Sequence, residues 1–153
     1  MASPKARSRS KARAAARLAA VQALYQQEME GTALARLLDE FHRHRLGATI
    51  EDVEYADAEV GFFDDVVRGV DARREEIDAR ITARLGEGWN LPRLDRPLRA
   101  ILRAATYELI ARADVPTGSV ITEYVDVADA FYGKRETGFV NGLLDAVAKD
   151  VRG

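Results

Sequence analysis

The sequence predicts an all-α domain of about seven short helices, and three observations lead to this prediction. Charged residues make up 31% of the 153 residues and aromatic residues only 7%, whereas the helix formers Ala, Leu, Arg and Glu are abundant. Apolar residues recur at three- and four-residue spacing along most of the chain, which is typical of helices that pack through one face. No segment shows the strict apolar–polar alternation of a half-buried strand.

The first half of the chain is predicted to form four helices and one loop. The first helix runs from about residue 10 to residue 30 and ends at Gly31, a residue type favoured just after a helix. Its predicted core face consists of Leu18, Val21, Leu24, Tyr25 and Met29. Thr32 is expected to cap the second helix, and residues 48–56 to form a polar, acidic loop. The next periodic stretch slips in phase near Asp71, which predicts two successive helices.

The second half is predicted to form three further helices. Asp95 is expected to cap the fifth helix, with Pro97 in its first turn, where a missing N–H costs nothing. Residues 114–119 break that helix and precede the sixth, which ends near Gly133. The seventh is expected to begin at about Thr137.

Basic residues are concentrated at the amino-terminal end. Residues 1–27 contain no Asp or Glu and six bases, which are Lys5, Arg7, Arg9, Lys11, Arg13 and Arg17. Cations at a helix amino terminus oppose the helix dipole, so this arrangement suggests an anionic partner. We expect a basic arm over residues 1–10 and a single helical domain over residues 11–153. A solvated surface segment and an organelle transit peptide are the alternatives that charge alone leaves open.

Several classes of protein and site are not expected. The sequence has no cysteine, which excludes disulfides and thiolate metal sites. His42 and His44 are two residues apart, so on a helix they point to different faces and cannot share a metal. We expect no catalytic residues, no metal and no cofactor. No apolar stretch approaches the ~20 residues needed to cross a bilayer, and the chain is interpreted as soluble and cytoplasmic.

The basic helix has the features of an RNA-binding segment. Arg9, Arg13 and Arg17 stand four residues apart and could present successive guanidinium groups to phosphates, with Arg7 and Lys11 adding to the charge. Gln22 and Tyr25 follow and could read or stack on an unpaired base. Tyr25 also falls on the apolar stripe, so core packing remains open for it.

A second candidate segment lies before the last helix. Lys134 and Arg135 are expected in a short turn at its amino terminus, where phosphate can bind, and Phe139 could stack on a base. Phe139 could equally begin the core face of the helix. The poor helix formers Asn141 and Gly142 suggest close packing against another helix or a hydrogen bond to a loop.

Taken together, these segments resemble the bacterial NusB family of transcription antitermination factors over nearly the whole chain. The order and spacing of several short segments carry the resemblance. They are Val21-Gln22-Ala23-Leu24-Tyr25, Phe62-Phe63 to Gly69-Val70, Trp89-x-Leu91-x-Arg93-Leu94, Arg99-Ala100-Ile101-Leu102-Arg103, Tyr107-Glu108-Leu109, Asp114-Val115-Pro116 and Phe139-Val140-Asn141-Gly142-x-Leu144-Asp145.

The resemblance implies two three-helix bundles with a long shared element and a non-enzymatic role. Family members bind the boxA segment of nascent ribosomal RNA together with NusE, a small-subunit ribosomal protein, and help RNA polymerase to read through terminators. By this resemblance the arginine-rich end and the surface near Tyr25 and Phe139 contact RNA, and the fifth helix, with Leu98 and Arg99, meets NusE. Many members have an acid where this chain has Leu98, and an acid or serine where it has Arg135-Glu136.

Two alternative functions remain open on the same fold. NusB-like domains also form the amino-terminal part of some rRNA cytosine-5 methyltransferases. The chain could instead be a self-associating protein-interaction scaffold, with a homodimer as an inactive reserve.

Overall fold

A computed structural model describes the backbone of residues 4–44 and 53–153, and the side chains of residues 10–43 and 59–153. This part of the chain contains seven α-helices and no strand, which confirms the predicted all-α class. The helices are α1 (Pro4–Glu30), α2 (Leu34–His44), α3 (Val53–Ala72), α4 (Arg74–Thr82), α5 (Arg96–Ala111), α6 (Thr117–Phe131) and α7 (Lys134–Arg152), with one 3₁₀ turn at Leu91–Arg93.

Helix α1 begins at Pro4, earlier than predicted, so residues 4–10 of the expected arm are helical. A proline is well tolerated in a first turn, and the Lys, Ala and Arg residues that follow favour helix. The helix ends as predicted at Gly31, whose φ of 67° is left-handed and whose N–H donates to the Gln27 carbonyl at 2.8 Å. The separation of an arm (residues 1–10) from one domain (residues 11–153) stays a prediction.

The buried face of α1 differs from the predicted one. Val21 and Leu24 are buried as expected, but Leu18 and Met29 are exposed, so the prediction was wrong for these two residues. Small residues take the buried face instead; they are Ala12, Ala16, Ala19, Ala20 and Ala23. Alanine carries no long side chain, so other parts of the molecule can approach the helix closely along this face.

The first of two compact units spans Met1–Arg68 and contains α1, α2 and most of α3. Phe41 of α2 stacks on Phe63 of α3 with ring centroids 5.4 Å apart, and both rings are buried. The predicted cap at Thr32 was wrong, because α2 begins at Leu34 and the Thr32 hydroxyl donates to Glu30 Oε2 at 3.5 Å. The predicted loop at 48–56 was wrong for residues 53–56, which belong to α3, and its other residues lie outside the described part.

The predicted break between the third and fourth helices is confirmed, although Asp71 does not produce it. Asp71 lies inside α3, and Arg73 occupies the position before α4. Arg73 makes no side-chain cap there, and its Nε donates to Glu76 Oε2 at 3.0 Å. The Arg73–Glu76 pair lies in the first turn of α4 and is exposed, so it contributes little to stability.

The second unit, Gly69–Gly153, is built around α5. Helices α4, α6 and α7 all pack against α5, whose residues 98–109 are buried apart from Arg103. Gly69, in the last turn of α3, lies so close to this helix that a Cβ there would be 2.1 Å from the buried Tyr107 ring. Only glycine fits at this crossing.

The ends of α5 are held by side chains from distant parts of the second unit. Asp95 precedes α5 and Pro97 lies in its first turn, both as predicted, but the Asp95 carboxylate does not cap its own helix. Asp95 Oδ2 instead accepts the Tyr132 hydroxyl at 2.7 Å. At the other end, Arg152 donates to the carbonyls of Glu108 at 3.1 Å and Leu109 at 2.9 Å, which satisfies acceptors that a helix end leaves unpaired.

The predicted packing role of Gly142 was wrong. Asn141 and Gly142 are exposed on α7, and a Cβ at Gly142 would meet no atom within 4 Å. No helix in the described residues combines the length and the apolar composition needed to cross a bilayer.

Candidate functional site

Six of the predicted site residues lie on two surfaces, one in each unit: Lys11, Gln22 and Tyr25 on the first, and Leu98, Arg135 and Phe139 on the second. The first, called the α1 surface, consists of Lys11, Leu18, Gln22, Tyr25 and Met29. The second, called the α7 pocket, is lined by Leu85, Gly86, Trp89, Leu98, Arg135, Glu136 and Phe139. Within the described residues, no group of three potential metal-ligating side chains comes together.

The α1 surface is one continuous face of a helix. Its members follow each other at seven-, four-, three- and four-residue steps, which place them on the same side. Lys11, Leu18 and Met29 are exposed, and Gln22 and Tyr25 are half-buried. A partly exposed phenol ring beside an amide group can offer both a stacking face and hydrogen bonds.

The predicted stripe of arginines does not face solvent as a unit. The guanidinium groups of Arg13 and Arg17 both lie over the Phe62 ring of α3, 5.0 Å and 4.9 Å from its centroid. Arg13 is half-buried, and only 4% of Arg17 is exposed. Arg17 is therefore held as a packing residue of the first unit, and the expectation that it is free to grip phosphate does not match its burial.

Of the three other predicted cations on α1, only Lys11 has a side chain within the described residues. Lys11 is exposed on the α1 surface. Arg7 and Arg9 belong to α1, but their side chains lie outside the described residues. Their predicted contact with RNA stays a prediction.

Lys134 and Arg135 lie in the first turn of α7, not in a turn before it as predicted. Gly133 in an extended conformation precedes the helix, and the Thr137 hydroxyl donates to the Lys134 carbonyl at 3.1 Å. Both basic side chains are exposed, and neither makes a hydrogen bond or ion pair within the described part of the chain. The two cations oppose the dipole of α7, and Glu136 in the same turn offsets part of their charge.

The α7 pocket lies beside these cations and encloses about 310 Å³. Phe139 is 38% exposed and Trp89 53% exposed, so two aromatic rings at its walls meet solvent. Leu98 forms part of the lining and is buried. The pocket thus combines an apolar interior with one cation and one carboxylate, from Arg135 and Glu136.

The segment that carries Trp89 is held in place by a tight turn. The Trp89 N–H donates to the Gly86 carbonyl at 3.0 Å, and Gly88 has a left-handed φ of 84°. Arg93 donates to the Gly88 carbonyl, and its guanidinium group lies 5.2 Å from the centroid of the Trp89 ring. These contacts orient the indole before any ligand arrives.

Tyr132 fixes the junction of α6 and α7 against the start of α5. Burial, and then the hydrogen bond to Asp95, raise the pKa of the Tyr132 hydroxyl well above its ordinary range. The hydroxyl therefore remains a protonated donor at neutral pH, and the tie between the two segments persists.

Arg99, predicted to contact a protein partner, has a structural task in the second unit. It is 9% exposed, and its Nη1 donates to the carbonyls of Leu91 at 3.2 Å, Pro92 at 3.2 Å and Leu94 at 2.7 Å. One guanidinium group thus holds the 3₁₀ turn against α5. Its contact with a partner stays a prediction.

The sequence did not single out Trp89 as a site residue. Trp89 lies in a glycine-rich turn, where a large apolar side chain has little to pack against. This position could have indicated an exposed aromatic residue and therefore a candidate binding residue. The Phe62 ring under Arg13 and Arg17 was also missed, because no local pattern links residues so far apart in sequence.

Comparison with known proteins gives a consistent result. The model of the NusB family matches residues 14–149. A protein from Novosphingobium aromaticivorans, named transcription antitermination protein NusB, is 74% identical over 142 residues, which cover 93% of this chain and 96% of that protein. A protein of the same name from Sphingopyxis alaskensis is 69% identical over 144 residues, covering 94% of this chain and 97% of the relative.

Solved structures show the same fold. T. maritima NusB is 32% identical and superposes with a TM-score of 0.74 over 98% of this chain and 94% of that one. A crystal structure of antitermination factors NusB and NusE in complex with double-stranded RNA contains a chain 26% identical to this one, with a TM-score of 0.76 over 92% of this chain and 98% of that one. The predicted family and the predicted non-enzymatic class are confirmed. The chain belongs to the NusB family.

Proposed function

We propose that this protein is an antitermination factor that binds boxA-type RNA of ribosomal RNA operons together with NusE. The observation that carries the proposal is the pair of exposed, unpaired cations at the start of α7, next to a pocket with two exposed aromatic rings. Cations that track phosphates and aromatic faces that accept bases are the two elements of single-strand recognition. The relatives named above supply the biological setting.

RNA would be held by two sets of residues with different tasks. Lys11, Lys134 and Arg135, with Arg7 and Arg9, supply a grip on phosphate that weakens with salt and does not depend on sequence. Gln22, Tyr25 and Phe139 contact bases and provide the discrimination. Arg13 contributes only through the part of its guanidinium group that Phe62 leaves accessible.

NusE would bind a surface that includes α5, near Leu98. Leu98 is buried in the wall of the α7 pocket, so this position offers NusE no carboxylate, and NusE would contact the residues around it outside the pocket. In the cytoplasm, the heterodimer on nascent RNA would join the antitermination complex with RNA polymerase. The first two relatives have little sequence outside the matched part, which is a reason to prefer this role over a domain of a methyltransferase.

Fluorescence anisotropy of a labelled boxA-type RNA tests the proposal directly. We expect sequence-dependent binding at ~0.15 M salt that becomes tighter when NusE is added, and weaker binding to a scrambled RNA of the same length. Equal and weak binding of both RNAs in the presence of NusE would contradict the proposal.

Self-association is a second candidate property, favoured by the exposed Leu18 and Met29 of the α1 surface. Sedimentation velocity of the free protein and of Leu18→Gln would test it. A dimer that Leu18→Gln disrupts supports self-association through this face, and a monomer at all concentrations contradicts it.

A further inference from the structure

The α7 pocket has the size and lining of a site for a small planar group. Its volume of about 310 Å³ lies at the lower end of the ~300–1,000 Å³ typical of ligand pockets. Trp89 and Phe139 supply aromatic surface, and Leu98 supplies an aliphatic wall. An aromatic ring that enters such a pocket gains both apolar burial and stacking.

Charge around the pocket favours an occupant that also carries negative charge. Arg135 lines the pocket, Lys134 precedes it, and both side chains are exposed without a partner among the described residues. Arg93 adds a third cation on the Trp89 ring, 5.2 Å from its centroid. Glu136 places a carboxylate in the same lining, where it can accept a hydrogen bond from an amino group.

We propose that the α7 pocket receives one unpaired nucleobase of the bound RNA, which stacks on the Trp89 and Phe139 rings while Lys134 and Arg135 hold its flanking phosphates. A nucleotide is the one common ligand that joins a flat apolar ring, hydrogen-bond donors on the ring edge and a phosphate on each side. This inference rests on the proposed RNA binding and adds to it the point at which a base leaves the strand. An apolar side chain of a partner protein would use the same walls but would leave the two cations unpaired.

The single tryptophan of the sequence makes the pocket directly observable. Protein labelled with 5-fluorotryptophan has one ¹⁹F resonance, from Trp89, and unlabelled NusE adds none. RNA binding itself is followed separately by the anisotropy of a labelled boxA-type RNA. We expect that RNA shifts the Trp89 resonance at saturation, and that NusE alone leaves it unchanged.

Two phenylalanine variants provide a matched comparison. Phe139→Leu keeps apolar volume but removes one stacking face, and it should weaken RNA binding by about fivefold to tenfold. Phe131→Leu changes another exposed phenylalanine, which is not part of the pocket lining, and should leave RNA affinity unchanged. A set of RNAs with one abasic nucleotide each should contain a single position whose loss abolishes the ¹⁹F shift.

The outcomes separate this inference from the proposed function. RNA binding with no shift of the Trp89 resonance overturns the base pocket and leaves the proposed function standing. A shift caused by NusE without RNA also overturns it and assigns the pocket to the protein partner. Absence of RNA binding in the anisotropy measurement overturns both proposals.

Discussion

The arginines on α1 and the basic pair on α7 look alike in sequence but are used differently in the structure. Arg13 and Arg17 lie over one phenylalanine ring in the first unit, and Arg17 is almost entirely buried. Lys134 and Arg135 are exposed in the first turn of α7 and have no partner within the described residues. The number of basic residues in the sequence therefore overstates the charge that is accessible to RNA, because some basic side chains are buried by packing.

Arg99 is another cation used for structure, and of the four changes considered below its loss should have the largest effect on stability. In Arg99→Ala, three carbonyls around the 3₁₀ turn lose a charged donor. We expect a loss of about 3 kcal/mol in the free energy of unfolding, or about 10 °C in Tm for a chain of this size. Thermal unfolding followed by circular dichroism measures it. The exposed Arg68→Ala on α3 is the control and should change Tm little; equal effects in both variants would contradict the structural role.

Arg17→Ala should have the next largest effect on stability. A desolvated cation–π contact contributes about 2 kcal/mol, so the free energy of unfolding in urea should fall by about that amount. Arg17→Lys should recover only part of the loss, since an ammonium group lacks the planar stacking surface. Unchanged stability together with weaker RNA binding would show that Arg17 belongs to the RNA grip instead.

Arg13 is intermediate between the cations that packing buries and those that are exposed to RNA, because it is half-buried over the Phe62 ring. Arg13→Ala should lower the free energy of unfolding by about 1 kcal/mol and should also weaken RNA binding. Both quantities are to be measured on the same preparation, with Arg36→Ala of α2 as the exposed control. A loss of stability alone would show that Arg13 is only a packing residue, and a loss of RNA affinity alone would show that it only binds RNA.

The double variant Lys134→Ala/Arg135→Ala should have the smallest effect on stability. Neither side chain has a partner to lose within the described residues, so the free energy of unfolding should change by less than ~0.5 kcal/mol. Removing two cations from a helix amino terminus could even raise it slightly. A large drop in Tm would show that the pair has a structural role.

The sequence predicted the helices well because their apolar periodicity is a local signal. The end of α1 at Gly31 and the position of Pro97 followed from single residues with strong conformational preferences. The start of α7 was missed because Lys134 and Arg135 resemble a surface turn, whereas an extended Gly133 lets the helix begin at once.

The residue types of the site could be predicted from the sequence, but which of these side chains are accessible at the surface could not. Arg17 is buried because Phe62, on a different helix, lies under its guanidinium group, and no spacing rule contains that contact. Leu18 faces outward because alanines four residues apart occupy the buried side of α1. Both outcomes depend on which helices meet, which is a tertiary property.

The salt dependence of RNA affinity is the most direct test of the difference between the two basic regions. The slope of log affinity against log salt should be smaller in magnitude for Lys134→Ala/Arg135→Ala than for the unmodified protein, by roughly 0.7 for each phosphate that the variant fails to neutralise. We expect this decrease with folding unchanged. An unchanged slope in the double variant, with RNA still bound, would contradict the claim that the exposed pair on α7 holds the RNA backbone.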